Sequence, residues 1–176
     1  MTREYLKKAT LTSTSDATDV SATVQSILND IETRGDAGAL EYAAKFDNYT
    51  GNVILSEDEI NAAIALVPER LKRDIDFAHD NVRRFAEAQK ETLKDIEIEV
   101  VPGLIAGQKS IPVDAAGCYI PGGRYSHIAS AIMTVTTAKV AGCNHIVACS
   151  PPRPDIGIAP AIIYAAHVCG ADTIMA

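Results

Sequence analysis

The sequence predicts an α/β protein in which an amino-terminal helical region precedes an incomplete, Rossmann-like open parallel sheet with flanking helices. Two observations predict this class. Apolar residues recur at helical spacing up to residue 95, and short apolar runs alternate with helical segments from residue 115 onward. We therefore divide the chain into a helical region at 1–95, a β-ribbon connection at 96–114 and the first part of an α/β domain at 115–176.

The helical region begins with a helix that we place after Asp19, a residue type that caps helix amino ends. Gly35 is expected to end this helix, and Asp36 to cap a short second helix that reaches about Phe46. On this interpretation Arg34-Gly35-Asp36 joins two helices and is not an adhesion motif. The apolar face of the first helix comprises Val20, Val24, Ile27, Leu28 and Ile31.

Two further helices complete this region. Ser56 and Glu59 have the spacing of a capping box, which predicts that a third helix begins there. Pro68 suits the first turn of a fourth and longer helix. The apolar stripe of this fourth helix alternates steps of four and three residues through Leu71, Ile75, Ala78, Val82 and Phe85.

After residue 95 the apolar pattern becomes that of short strands. The runs Ile96–Val101 and Leu104–Gln108 flank a proline-glycine pair, which predicts a hairpin or β-ribbon. Ile111–Val113 is a third β-prone run.

From Ala115 the pattern alternates strand and helix, which predicts a parallel sheet with right-handed crossovers. The strands are apolar throughout, as in sheets that helices cover on both faces. The last strand ends beside Ala176, so we expect further chain or a partner to cover its open edge. The predicted elements are a strand at 117–120, a helix at 127–141, a strand at 145–149, a helix at 157–168 and a strand at 173–175.

The composition argues against several classes of protein. With 47% hydrophobic residues, the 176-residue chain has enough apolar side chains for one domain or two small ones. A net charge of −7 argues against a nucleic-acid surface held by phosphate contacts. No apolar run approaches the roughly 18 residues of a membrane span, and the polar start MTREYLKK does not resemble a signal peptide, so we expect a cytoplasmic protein with no membrane partner.

The four cysteines show neither a C-x-x-C pair nor a secretory context. We interpret them as buried thiols rather than zinc ligands or disulfides: Cys118, Cys143, Cys149 and Cys169.

The segment Gly117–His127 places a glycine-rich turn between a parallel strand and a helix, where free N–H groups and the helix dipole favour an anion. Gly122 and Gly123 permit close approach to a ligand, Arg124 has the geometry to bind an anion, and Ser126 is a candidate helix cap. The alternative is a tight strand-to-helix turn that needs glycine only for its backbone angles.

The chain resembles the histidinol dehydrogenase family across nearly all of its length. The sharpest element of this resemblance pairs the tyrosine-proline-glycine-glycine turn with the alanine-lysine-valine-alanine-glycine end of the next helix. The matching segments are Arg34–Ala37, Lys45–Asp47, Phe85–Gln89, Tyr119–Gly123, Thr137–Cys143 and Cys149–Pro152.

This resemblance implies an NAD- and zinc-dependent dehydrogenase that oxidises a small-molecule primary alcohol to a carboxylate by two hydride transfers through an aldehyde. It also implies a homodimer with an active site shared across the interface. Tyr119, Pro121, Gly122 and Gly123 match the turn that contacts NAD in the family. The zinc ligands and the catalytic glutamate-histidine pair of the family lie beyond the point that matches Ala176, so no catalytic or metal-binding residue is expected in this chain.

The residues after the two glycines differ from those usual in histidinol dehydrogenases, which are small or apolar. The segment Arg124-Tyr125-Ser126-His127 is similar instead to the branch that oxidises 2,3-dihydroxypropane-1-sulfonate to sulfolactate. An added cation suits an anionic sulfonate better than a cationic amino alcohol. Arg124, Ser126 and His127 are therefore candidate substrate-binding residues.

Two other functions stay open at this point. One is the oxidation of L-histidinol to L-histidine within the same family. The other is a non-catalytic module in which the helical half forms a dimer interface and the glycine-rich turn binds an anion.

Overall fold

The computed structural model describes residues 14–122, 125–153 and 156–176, and the mixed helix-and-sheet class is confirmed. The chain divides into two compact units, residues 1–45 and 46–176. Among the described residues, no helix is both long enough and apolar enough to cross a bilayer.

The first unit contains helix α1, Thr14–Arg34, and helix α2, Asp36–Tyr42. Gly35 separates them with a φ of 59°, which confirms its predicted role at the end of α1. The chain then continues into a π-helical turn at Ala43–Asp47.

Two predicted caps in this unit are wrong. Helix α1 begins at Thr14 and already includes Asp19. The prediction is wrong because the spacing of apolar residues indicates the face of a helix and does not determine where its backbone hydrogen bonds begin. Gly35 takes the cap position of α2 without a side-chain hydrogen bond, and Asp36 is the first helical residue. From the first turn, the negative charge of the Asp36 carboxylate stabilises α2 by interacting with the positive end of the helix dipole.

The second unit begins its helical part with α3, Glu57–Ala65, and α4, Glu69–Glu91. The capping box is confirmed, since the Glu59 backbone N–H donates to Ser56 Oγ at 3.3 Å and the Ser56 backbone N–H donates to Glu59 Oε2 at 2.8 Å. Pro68 is the N-cap of α4.

The predicted stripe of α4 is correct for four of its five residues. Ile75 is buried, and Leu71, Ala78 and Val82 pack against the core, but Phe85 is 67% exposed and Ala86 is buried in its place. Eleven residues make about three helical turns, so Ala86 lies nearly in line with Ile75 along the helix.

The β-ribbon is confirmed as two antiparallel strands, β1 at Ile96–Val101 and β2 at Leu104–Gln108. Every residue of both strands is exposed. The predicted third run, Ile111–Val113, is not a strand, because Pro112 lacks an N–H and the ribbon offers it no pairing partner.

The α/β part follows the predicted alternation. Strands β3, β4 and β5 pair in parallel in that order, and helix α5 packs on β3, β4 and α6. The observed elements are β3 at Ala115–Tyr119, α5 at Ile128–Ala141, β4 at His145–Cys149, α6 at Pro160–Val168 and β5 at Thr173–Met175.

Helices cover one face of this sheet and not both, among the described residues. Burial alternates along each strand, so Cys118, Ile146, Ala148 and Ile174 face the core, while Tyr119 lies on the other face. Strands in sequential order joined by crossovers of one hand place both helices on the same side, which accounts for the difference.

The outer edge of β5 is not open, contrary to the expectation from the sequence. The Leu55 N–H donates to the Ile174 carbonyl at 3.0 Å, and the Ala176 N–H donates to the Val53 carbonyl at 2.8 Å. Ile54 bridges Met175 in an antiparallel sense. The segment before α3 therefore supplies the hydrogen bonds that an edge strand would otherwise leave unmade.

The cysteine prediction is confirmed. All four are free thiols, of which Cys118, Cys143 and Cys169 are buried and Cys149 is half-buried. Burial raises the pKa of Cys118, Cys149 and Cys169, which keeps these thiols protonated at neutral pH.

Asp172 ties β4 to the chain before β5 and is expected to make stability depend on pH. The Ile146 backbone N–H donates to Asp172 Oδ2 at 2.8 Å and, with Lys139 nearby, lowers the pKa of the carboxyl from its ordinary value. A carboxyl group whose pKa is lower in the folded than in the unfolded state stabilises the protein at pH values above its unfolded pKa. This stabilisation is lost as pH falls through the folded pKa. Because a third of the side chain is exposed, we expect Asp172→Asn to cost no more than about 1 kcal/mol at pH 7.

Urea unfolding of the chain at several pH values checks this prediction. The deficit of Asp172→Asn is expected to shrink and then disappear as pH falls through the lowered folded pKa of Asp172. The control Asp74→Asn, on the exposed side of α4, is expected to stay within about 0.5 kcal/mol of the parent chain. An Asp172→Asn deficit that persists at low pH would contradict the assignment.

Candidate functional site

The candidate site lies where β3 and β4 end at the same edge of the parallel sheet. We call Ile120–Gly122 and Ser150–Arg153 the carboxyl edge. The Ile120 N–H donates to the Cys149 carbonyl at 2.8 Å, so the pairing of the two strands continues one residue beyond β3. The Ser150 N–H donates to the Met175 carbonyl at 3.1 Å and anchors the edge to β5. Ligands of open α/β sheets bind at this type of edge.

Gly122 makes the closest contact between the two turns. A Cβ atom on this residue would lie 2.9 Å from the Pro151 carbonyl oxygen and 3.1 Å from Ser150 Oγ. Its φ is outside the left-handed region, so close approach and not backbone angle requires the glycine. The contact also explains the proline-glycine turn without any ligand, as the alternative interpretation of the sequence proposes.

Tyr119 is the last residue of β3 and is 60% exposed. It pairs in register with Cys149, on the sheet face that the described helices leave uncovered. An exposed aromatic ring at a strand end offers an apolar surface and a phenolic hydroxyl to a ligand.

Helix α5 begins directly after the turn, and the side chain of its N-cap residue makes no capping hydrogen bond. His127 is the N-cap residue, with φ −85° and ψ 64°, and it makes no side-chain cap hydrogen bond. The predicted cap Ser126 is therefore wrong, because the helix begins one residue too late for its hydroxyl to reach the first-turn amides. The N-cap side chain therefore leaves the first-turn N–H groups of α5 without a capping bond, and such a helix amino end favours an anion.

The structure brings together only some of the predicted site residues. Pro121 and Gly122 lie at the carboxyl edge, whereas the exposed Ser126 and His127 immediately precede α5. Gly123 and Arg124 lie outside the described residues. Ser126 lines a cleft of about 250 Å³ together with Arg153 and residues at the amino ends of α4 and α6.

Ser150 was not identified from the sequence. Its side chain is 4% exposed, and Oγ has no hydrogen-bond partner among residues 14–122, 125–153 and 156–176. The available signal was a hydroxyl residue directly after an apolar strand, in the segment Cys149–Pro152. Its proximity to Gly122 depends on strand pairing, which a single sequence does not display.

The described residues do not provide a metal centre. Among them, no three histidine, cysteine, aspartate or glutamate side chains are grouped so that they could hold a metal ion. Zinc therefore has no fitting donor set in the described part of the chain.

A family model for histidinol dehydrogenase matches residues 10–176. This chain belongs to the histidinol dehydrogenase family. It is 76% identical over its whole length to a sulfopropanediol 3-dehydrogenase of Ruegeria pomeroyi, of which it covers 40%. It is also 40% identical over 157 residues to a histidinol dehydrogenase of Methanosarcina barkeri, of which it covers 36%.

The fold agrees with this family. A crystal structure of histidinol dehydrogenase from Elizabethkingia anophelis matches with a TM-score of 0.81 and 33% sequence identity. The match covers 98% of this chain and 38% of that one. The chain thus spans about two fifths of the length of the histidinol dehydrogenase relatives that it matches.

Two glycines of the same strand-turn segment test the packing of the carboxyl edge. We expect Gly122→Ala to destabilise the chain by about 1–3 kcal/mol, because its Cβ collides with backbone at Pro151. Gly117→Ala is the matched control, since its Cβ meets nothing within 4 Å and is expected to change stability by about 0.5 kcal/mol or less. Urea midpoints measure both variants, and equal effects would contradict this packing.

Proposed function

We propose that the chain forms the amino-terminal part of an NAD- and zinc-dependent dehydrogenase that oxidises 2,3-dihydroxypropane-1-sulfonate to sulfolactate through the aldehyde. The observation that carries this proposal is the 76% identity over the whole chain to a sulfopropanediol 3-dehydrogenase. Membership of the histidinol dehydrogenase family supports the reaction class. The full-length protein is proposed to be a homodimer, as the family resemblance implies, and to act in the cytoplasm, as expected from its polar amino-terminal segment.

The carboxyl edge fits a dinucleotide in two respects. It lies at the carboxyl ends of two parallel strands, and the exposed Tyr119 ring ends β3. NAD⁺, when bound, supplies the acceptor for each of the two hydrides. In this proposal, Tyr119 packs on the cofactor, and Pro121, Gly122 and Gly123 form the turn against which it lies.

The remaining chemistry is assigned outside this chain. The zinc ligands and the glutamate-histidine pair are proposed to follow Ala176 in the full-length protein, so no proton transfer is ascribed to a residue described here. What this part contributes is binding and orientation of the cofactor, and a positive potential at the amino end of α5 for the sulfonate.

Arg124, Ser126 and His127 are the proposed sulfonate-binding residues. Ser126 and His127 are exposed and directly precede α5, where a sulfonate oxygen can accept from hydroxyl, imidazole and backbone N–H groups. Arg124 is included on its charge and its position in the sequence.

Replacing Tyr119 tests the cofactor assignment. In the full-length enzyme, Tyr119→Ala is expected to raise the KM for NAD⁺ about tenfold and to change the KM for the alcohol much less, because the ring contributes binding and not chemistry. Tyr119→Phe keeps the ring and is the control, with a KM for NAD⁺ near that of the parent enzyme. Equal effects of Tyr119→Ala on both substrates would refute the assignment.

The substrate assignment is tested by comparing the sulfonate with histidinol. Arg124→Ala and His127→Ala are each expected to lower kcat/KM for 2,3-dihydroxypropane-1-sulfonate by about thirtyfold, which corresponds to loss of one charged hydrogen bond worth about 2 kcal/mol. Arg84→Ala and His145→Ala, exposed at other places, are the controls and are expected to leave kcat/KM unchanged. A parent enzyme that oxidises histidinol and ignores the sulfonate would overturn the proposal.

A further inference from the structure

Ser150 carries a buried polar group that the fold does not use. The side chain is 4% exposed, and within the described part of the chain Oγ neither donates nor accepts a hydrogen bond. Buried hydroxyls in native proteins nearly always have a partner, because desolvation without one costs stability. The backbone N–H of Ser150 donates to the Met175 carbonyl, which fixes the position of the residue. Its hydroxyl is thus the one polar group of the side chain, and it contributes no hydrogen bond to the described fold.

The hydroxyl lies under the proline-glycine turn. Oγ would be 3.1 Å from a Cβ on Gly122, so the backbone of this glycine packs directly over the hydroxyl and separates it from solvent. Arg153 of the same edge lines one cleft with Ser126, which lies directly before α5. A hydroxyl donor is complementary to a phosphate oxygen.

We propose that Ser150 is a cofactor-binding residue whose hydroxyl donates a hydrogen bond to a phosphate oxygen of the dinucleotide. This inference rests on the proposed function of the carboxyl edge. Because Oγ is covered in the structure, the Pro121–Gly122 turn shifts to admit the phosphate, and the hydroxyl gains its partner only when the ligand is bound. The unliganded protein bears the cost of the unpartnered hydroxyl, and ligand binding relieves it.

This arrangement gives Ser150→Ala an unusual signature. Removing the hydroxyl breaks no hydrogen bond in the unliganded protein, so its thermal midpoint is expected to stay the same or to rise. The Kd for NAD⁺ is expected to increase by about tenfold to a hundredfold, the usual effect of losing a hydrogen bond to a charged group. The Kd for ADP-ribose increases by the same factor, whereas that for adenosine, which has no phosphate, is unchanged.

Two variants of the full-length protein serve as controls. Thr136→Val removes a second buried hydroxyl, inside α5 and away from the carboxyl edge, and is expected to leave the Kd for NAD⁺ unchanged. Ser150→Thr keeps the hydroxyl and is expected to bind NAD⁺ more tightly than Ser150→Ala.

Isothermal titration calorimetry with NAD⁺, ADP-ribose and adenosine, together with thermal unfolding without ligand, tests both the role of Ser150 and the proposed function. If the parent protein binds NAD⁺ and Ser150→Ala binds it equally well, the role of Ser150 is refuted and the proposed function stands. If the parent protein does not bind NAD⁺, the proposed function fails and the inference fails with it. A Ser150→Ala protein that is less stable without ligand and unchanged in Kd assigns the hydroxyl to the fold alone.

Discussion

The parallel pairing of β3 with β4 is the constraint on which the site depends. It brings two turns that are 28 residues apart, at Gly122 and Ser150, into contact and leaves no room for a Cβ atom on Gly122. The buried side chains of Ile146 and Ala148 pack in the core and stabilise this pairing. It continues past the end of β3, where the Ile120 N–H donates to the Cys149 carbonyl. The geometry of the edge thus follows from the core of the sheet.

The one-sided cover of the sheet determines where Tyr119 lies. Because the helices pack on the face that carries Cys118, the alternate residue Tyr119 projects from the other face and stays exposed. The pairing of Val53–Leu55 with β5 closes the outer edge of the same sheet. Tyr119 on the uncovered face thus stays exposed beside the partly buried carboxyl edge, where we place the cofactor.

Local signals in the sequence predicted local structure well. The capping box at Ser56 and the apolar runs of β1, β2, β4 and β5 depend on neighbouring residues, and all are present in the structure. The caps assigned to Asp19 and Ser126 are wrong, because a residue type favours a cap without determining where helical hydrogen bonds begin.

Features that depend on long-range contacts were not predictable from one sequence. The pairing of Leu55 with Ile174 joins segments more than 100 residues apart, and the isolated hydroxyl of Ser150 is apparent only when the strands are assembled. The central claim is that the carboxyl edge binds the phosphates of NAD⁺. Hydrogen exchange of the full-length protein with and without NAD⁺ tests it most directly: protection is expected at Tyr119–Gly122 and Ser150–Arg153, with no change in the β-ribbon. Protection that is confined to other segments would contradict the account.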